Sequence, residues 1–147
     1  MTSRILVAID ASPRAASVLR AALAIGGKLG ARVHPLRVIS VPPEFPPAAA
    51  GAPADPLPAV LETQAREELA RLFAFAAPGA EFERPLVRSG VPWQAILRAA
   101  DETDAQLIVI GSHGYHGWDR VLGTTTLDVL KESSRNVLVV QQGQPIG

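Results

Sequence analysis

Three short apolar runs constrain the fold of this chain more than any other feature of its sequence. They occupy residues 5–9, 107–110 and 137–140. Each run has the length of a β-strand and contains no polar residue, a pattern typical of strands that are buried on both faces. Because such strands need helices packed on each side, the runs predict an α/β protein with a parallel sheet.

Helical patterns separate these runs. One helix is expected to begin at Pro13 and to end at Gly30, and residues 59–76 carry a second apolar stripe. Two further helices are expected, one from Pro92 and one over about 124–134. The complete set of predicted strands is 5–9, 36–39, 82–87, 107–110 and 136–140.

Proline limits regular structure in two places. Pro35 cannot donate to a strand ladder, so we start the second strand at Leu36 or allow a bulge at the proline. Residues 41–58 contain many prolines and are predicted to form a long surface loop.

The order of the elements, βαβαβαβαβ, predicts a doubly wound α/β fold for a single domain over residues 1–147. Such a fold has a five-stranded parallel sheet with helices on both faces. We expect the strand order 3-2-1-4-5. This order places a crevice between the carboxyl ends of the first and fourth strands, where ligands bind in open α/β sheets.

Composition excludes several classes of function. Lysine plus arginine and aspartate plus glutamate each number 14, for a formal net charge of +0, so neither nucleic acid nor a membrane surface is an expected partner. The absence of cysteine excludes disulfides, thiolate metal sites and a cysteine nucleophile. No apolar stretch approaches the ~20 residues that a membrane helix needs, and we expect a cytoplasmic protein.

Two loops are predicted to meet at the crevice. The first begins at Asp10 and offers a carboxylate, and the second runs from Gly111 through several glycines into the start of the fourth helix at Thr124. Glycine lets backbone amides approach an anion, and a helix N-terminus carries a partial positive charge, so the second loop suits polyphosphate.

Simpler interpretations stay open from the residues alone. Tight turns in α/β proteins also favour glycine, and Thr124 or Thr125, like Asp10, is a residue type that caps helices. The second loop contains neither GxxxxGK[ST] nor a lysine in the matching place. His113 and His116 have neither a thiol nor an obvious second pair of ligands to join them, so no metal site is predicted. No serine–histidine–acid set is indicated, so no catalytic residue is predicted.

The second loop carries a specific resemblance. Gly111, Gly114, Gly123 and Thr124 match the motif G-x2-G-x9-G-[ST] that ATP-binding members of the universal stress protein family carry between the fourth strand and the fourth helix. Here eight residues, instead of nine, separate the second and third glycines. The first, second and last predicted strands also look like those of the family, so the chain resembles it over nearly its whole length.

The resemblance implies a site for ATP, bound alone or with Mg²⁺. Asp10 would contact the ribose, directly or through a metal-bound water, and Val38 would present backbone groups to adenine. Ala8 and Ile110 would form apolar walls. The first two glycines of the motif would approach the ribose and the phosphates, and the third glycine with the two threonines after it would hold the phosphate end. The implied binding residues are Ala8, Asp10, Val38, Ile110, Gly111, Gly114, Gly123, Thr124 and Thr125.

Three functions follow as hypotheses. The resemblance favours an ATP-binding regulatory or stress-response protein that retains ATP or hydrolyses it slowly. The shortened loop keeps open a dimeric interaction module that has lost nucleotide. An adenylating enzyme of the related adenine-nucleotide α/β group would need an acceptor domain, for which 147 residues leave no space.

The last predicted strand, 136–140, is expected to form a homodimer. It would lie at one edge of the sheet, where an apolar strand with unpaired backbone groups invites pairing with a second copy. The resemblance implies the same, because family members commonly dimerise through the fifth strand. The alternative is a twisted edge strand that Asn136 and the glutamines after it protect.

Overall fold

Strands and helices alternate along the computed structural model, which describes residues 2–40, 59–112 and 123–141. The predicted loop 41–58 lies outside the described residues. The second helix matches its predicted bounds, and the fourth ends two residues earlier than expected. The elements are β1 (Arg4–Ile9), α1 (Ala15–Leu29), β2 (Arg32–Ile39), α2 (Ala59–Ala76), β3 (Leu86–Ser89), α3 (Pro92–Thr103), β4 (Leu107–Gly111), α4 (Thr124–Glu132) and β5 (Asn136–Val140).

The five strands form one parallel sheet in the order β3-β2-β1-β4-β5. This confirms the predicted fold and strand order. The central strand β1 pairs with both β2 and β4, which explains why its core residues, such as Leu6 and Val7, are completely buried. None of the described helices has both the length and the apolar character that a membrane crossing demands.

Alternation along the strands divides the core into two layers. Ile5 and Val7 of β1 pack with α1 and α2 on one side of the sheet. Leu6 of β1 and Ile108 of β4 pack on the other side, where α3 and α4 contribute residues such as Ile96. We call this second side the α3/α4 face. Both faces are covered, as the continuous apolar runs predict.

The second strand includes Pro35, so the predicted start at Leu36 is wrong. β2 begins at Arg32, and its register with β1 runs through Val7↔Pro35 without a bulge. Pro35 is fully buried.

The orientation of the β2 backbone explains why the proline is tolerated. Val33 O accepts a hydrogen bond from Glu83 N at 2.8 Å, and Ile39 O accepts one from Gly90 N at 3.1 Å. Odd-numbered residues of β2 therefore direct their backbone groups toward β3 and away from β1. The ladder with β3 starts only after Pro35, so the missing N–H removes no ladder bond.

β3 is shifted toward the C-terminus relative to the predicted strand 82–87. Pro85 lacks an N–H group, and its carbonyl accepts a hydrogen bond from the side chain of Arg66 in α2 at 3.0 Å. Phe82 instead packs on Phe73, with 4.4 Å between the ring centroids. The apolar character of this segment therefore serves packing against α2 rather than a strand ladder.

His34 is a polar residue inside the α3/α4 face. It pairs in register with Leu6, far from the carboxyl ends of the strands, and its Nε2 atom is buried without a hydrogen-bond partner among the described residues. Burial lowers the pKa of His34 below its usual value, while the nearby Glu83 opposes the shift. His34 is half-buried and lies away from the carboxyl ends of the strands, so it does not belong to the crevice.

Candidate functional site

The crevice forms where the chain leaves β1 and β4. These strands are parallel neighbours, so the loop that begins at Asp10 and the loop that begins at Ser112 emerge at the same edge of the sheet. The helices that follow them lie on opposite faces, α1 on one and α4 on the other. This is the switch point at which open α/β sheets bind ligands.

The loop after β1 is shaped by its own side chains. Asp10 Oδ1 accepts a hydrogen bond from Ser12 N at 3.0 Å, and Ser12 Oγ accepts one from Arg14 N at 3.2 Å. α1 begins at Ala15 with Arg14 at its N-cap position, so the expected helix start at Pro13 is wrong. These local hydrogen bonds form a turn at the residues where the helix was predicted to begin.

The start of α4 is tied to the end of β4. Thr126 is 3% exposed, and its hydroxyl donates a 2.7 Å hydrogen bond to the carbonyl of Gly111. Gly123 N donates to Ser112 O at 3.4 Å, and Ser112 N donates to Val140 O at 3.0 Å. The Thr126 hydroxyl and the Gly123 amide thus tie the first turn of α4 to the end of β4 at the crevice.

The first turn of α4 presents backbone donors. Gly123 is the N-cap in an extended conformation, and the first bond of the helix runs from Leu127 N to Gly123 O at 3.0 Å. The amides of Thr124, Thr125 and Thr126 precede that bond, and no side chain in the described part of the chain caps them. Thr124 is exposed and Thr125 is half-buried, so both are accessible.

Ala8 and Ile110, which are predicted as apolar walls, and Val38, which is predicted to present backbone groups, lie on one face of neighbouring strands. Ala8 and Val38 are half-buried and pack against the core of the α3/α4 face, and Ile110 is part of that core. They come from β1, β2 and β4, which are adjacent in the sheet. The structure therefore brings the two predicted walls and Val38 to the same face of the sheet.

Val38 lies just past the end of the β1 ladder. The last pair between β1 and β2 is Ile9↔Arg37. As an even-numbered residue of β2, Val38 directs its backbone groups toward β1, beyond this last pair. Its backbone therefore faces the crevice, although sequence reasoning alone could not tell which way it points.

Part of the predicted site cannot be placed. Gly114 lies outside the described residues, as do His113 and His116. Within residues 2–40, 59–112 and 123–141, no group of three His, Asp or Glu side chains could hold a metal ion.

A cavity of about 290 Å³ lies behind the Asp10 loop, on the side of α1 and α2. Arg37, with a side chain 16% exposed, lines it and pairs with Glu68 at 3.4 Å. Arg71 also lines the cavity, so two basic and two acidic side chains balance each other there. An arginine inside a strand gives no signal of its partner on a helix, so Arg37 could not be singled out from the sequence.

Comparison with known proteins gives a consistent answer. The model of the universal stress protein family matches residues 1–141. The chain is 31% identical over 140 residues to universal stress protein A homolog 1 of Coxiella burnetii, which covers 92% of this chain and 94% of that protein.

Solved structures agree with this assignment. A universal stress protein in complex with cAMP is 25% identical, has a TM-score of 0.63, and covers 95% of this chain and 97% of its own. A universal stress protein from Methanocaldococcus jannaschii has the same fold, with a TM-score of 0.74 at 24% identity and coverage of 98% and 99%. The family match and the Coxiella relative together place the chain in the universal stress protein family.

Proposed function

We propose that the chain is an ATP-binding regulatory or stress-response protein that retains the nucleotide or hydrolyses it slowly. One observation carries the proposal: the first turn of α4 is fixed at the crevice and presents amides that no described side chain caps. Phosphate suits such a helix start, because the amides donate hydrogen bonds and the helix dipole is positive there. We also propose that residues 1–147 form one nucleotide-binding domain.

The other parts of the crevice suit a nucleoside. Ala8, Val38 and Ile110 offer an apolar surface for a purine ring, and the backbone of Val38 faces the crevice with groups that could pair with its edge. Asp10 directly follows β1, whereas the start of α4 comes after the loop that follows the neighbouring strand β4. A carboxylate suits the sugar or a metal ion better than the triphosphate, which it would repel.

The comparisons support an adenine nucleotide as the ligand class. The relative that is 25% identical was solved in complex with cAMP, which shares the adenosine part with ATP. The triphosphate is favoured by the glycines that match the family motif and by the start of α4, with Mg²⁺ accompanying the phosphates. The cytoplasmic location stays a prediction.

Mass spectrometry of the purified protein after gentle denaturation tests the proposal. Co-purifying ATP or ADP in proportion to the chain is the expected result. A protein that carries no nucleotide and does not take up ATP when it is added would instead favour the interaction module that has lost nucleotide binding.

We expect Asp10→Ala to weaken ATP binding by about tenfold to a hundredfold, because one hydrogen bond to a sugar hydroxyl or a metal-bound water is worth roughly 1–3 kcal/mol. Isothermal titration calorimetry measures the affinity. Asp10→Asn is the matched control, since the amide oxygen can keep the bond to Ser12 N. If Asp10→Ala keeps its affinity and only the free energy of unfolding falls, Asp10 has a structural role alone.

We also propose that two copies pair through β5. This strand is at the edge of the sheet, and among the described residues no strand lies beyond it. Val137, Leu138 and Val139 are only half-buried in the single chain. Antiparallel pairing with a second copy would cover these side chains and satisfy the outer backbone groups of the strand.

Val139→Lys should shift such a dimer toward monomer, because a charge would be placed in the middle of the apolar edge. Light scattering at micromolar concentration measures the mass of both proteins. Val60→Lys is the matched control, since Val60 is 65% exposed on α2 and the added charge is the same. A wild-type monomer, or a dimer that Val139→Lys leaves intact, would exclude this interface.

A further inference from the structure

Trp93 is an aromatic residue at the open edge of the α3/α4 face. It is the second residue of α3, is half-buried, and packs against the core of that face together with Ala8 and Val38. The other hydrophobic members of this core that the structure describes are aliphatic, so Trp93 is the aromatic residue among them.

The turn before α3 places Trp93 near the end of β2. Gly90 N donates a 3.1 Å hydrogen bond to Ile39 O, and α3 begins two residues later at Pro92. The first turn of α3 therefore starts beside the carboxyl end of β2.

The direction of α3 determines how close the Trp93 side chain lies to the crevice. A helix that follows a parallel strand runs back along the sheet, so its N-terminus lies at the edge where the strands end. Ile96, one turn further along, is 3% exposed in the core. Trp93 lies three positions earlier on the same side of the helix, and thus one turn closer to the crevice.

We propose that the indole ring of Trp93 stacks on the adenine ring of the bound nucleotide. The inference rests on the proposed ATP binding and adds a residue that contacts the base. Aliphatic walls exclude water from a purine without distinguishing it from other flat groups. An indole adds a π surface, and stacking of a base on an aromatic side chain contributes substantially to affinity.

Fluorescence of a single tryptophan tests the contact directly. The chain has two tryptophans, so Trp118→Phe leaves Trp93 as the reporter. Addition of ATP should quench its emission and saturate at the concentration that calorimetry gives for binding. Inorganic tripolyphosphate, which has no base, should leave the emission unchanged.

Affinity measurements test whether the contact matters. Trp93→Leu should weaken ATP binding by about tenfold to a hundredfold and leave the binding of tripolyphosphate unchanged. Trp93→Phe, which keeps an aromatic ring, should retain most of the affinity. Leu97→Ala is the matched control, because Leu97 packs in the same core one turn deeper, and its loss should affect stability but not ATP affinity.

The outcomes separate the two claims. ATP binding with unchanged emission from Trp93, or with the same affinity in Trp93→Leu, would overturn the stacking contact and leave the proposed function in place. No ATP binding by the wild-type protein would overturn both. If Trp93→Leu fails to fold, the emission of Trp93 on addition of ATP decides the question.

Discussion

Gly123→Val should reduce the affinity for ATP by about a hundredfold or more. Gly123 is the N-cap of α4, and a branched side chain there would occupy the space that phosphate needs beside the first-turn amides. Each hydrogen bond to a charged group is worth roughly 1.5–3 kcal/mol, so the loss of two accounts for the expected decrease. Calorimetry with ATP measures it, and the same loss is predicted for Gly114→Val.

The fold should tolerate Gly123→Val. The residue has φ −61° and ψ 155°, an extended conformation that valine adopts readily. Gly27→Val is a control for the substitution itself, because a Cβ atom at Gly27 meets nothing within 4 Å on the exposed side of α1. A folded Gly123→Val protein with the affinity of the wild type would show that phosphate does not bind at the start of α4.

Thr126→Val should lower the free energy of unfolding by about 1–3 kcal/mol. Valine has nearly the same shape as threonine but cannot donate to Gly111 O, so a buried carbonyl would lose its partner. The first turn of α4 would also lose its tie to β4, and we expect weaker ATP binding as a consequence. Unfolding in urea measures the stability.

Thr124→Val is the matched control for this change. Thr124 lies in the same turn but is exposed, so the loss of its hydroxyl should leave the free energy of unfolding nearly unchanged. Equal stability of Thr126→Val and the wild type would mean that the bond to Gly111 does not hold the helix.

The sequence predicts the sheet well where strands are buried on both faces. Residues 5–9 and 107–110 have no polar interruption, and their apolar character leaves a central parallel strand as the simplest interpretation. Proline was harder to interpret. Whether Pro35 breaks a strand depends on which neighbour its missing N–H would face, and that depends on register with β3, which a single segment does not contain.

The candidate site shows the same limit. The residues that match the family motif could be named from the sequence. Asp10 directly follows β1 and Val38 lies in the neighbouring strand β2. Thr126 was missed, because its neighbours Thr124 and Thr125 look alike in sequence and only the helix phase turns one hydroxyl toward Gly111. Trp93 was missed since its place near the carboxyl end of β2 depends on the turn between β3 and α3.

Titration of the nucleotide-free wild-type protein with ATP and Mg²⁺ in a calorimeter tests the central claim most directly. We predict saturable binding of one ATP per chain, in competition with adenosine at the base end and with inorganic tripolyphosphate at the start of α4. A well-folded protein that shows no binding at millimolar ATP would contradict the assignment of the crevice as a nucleotide site.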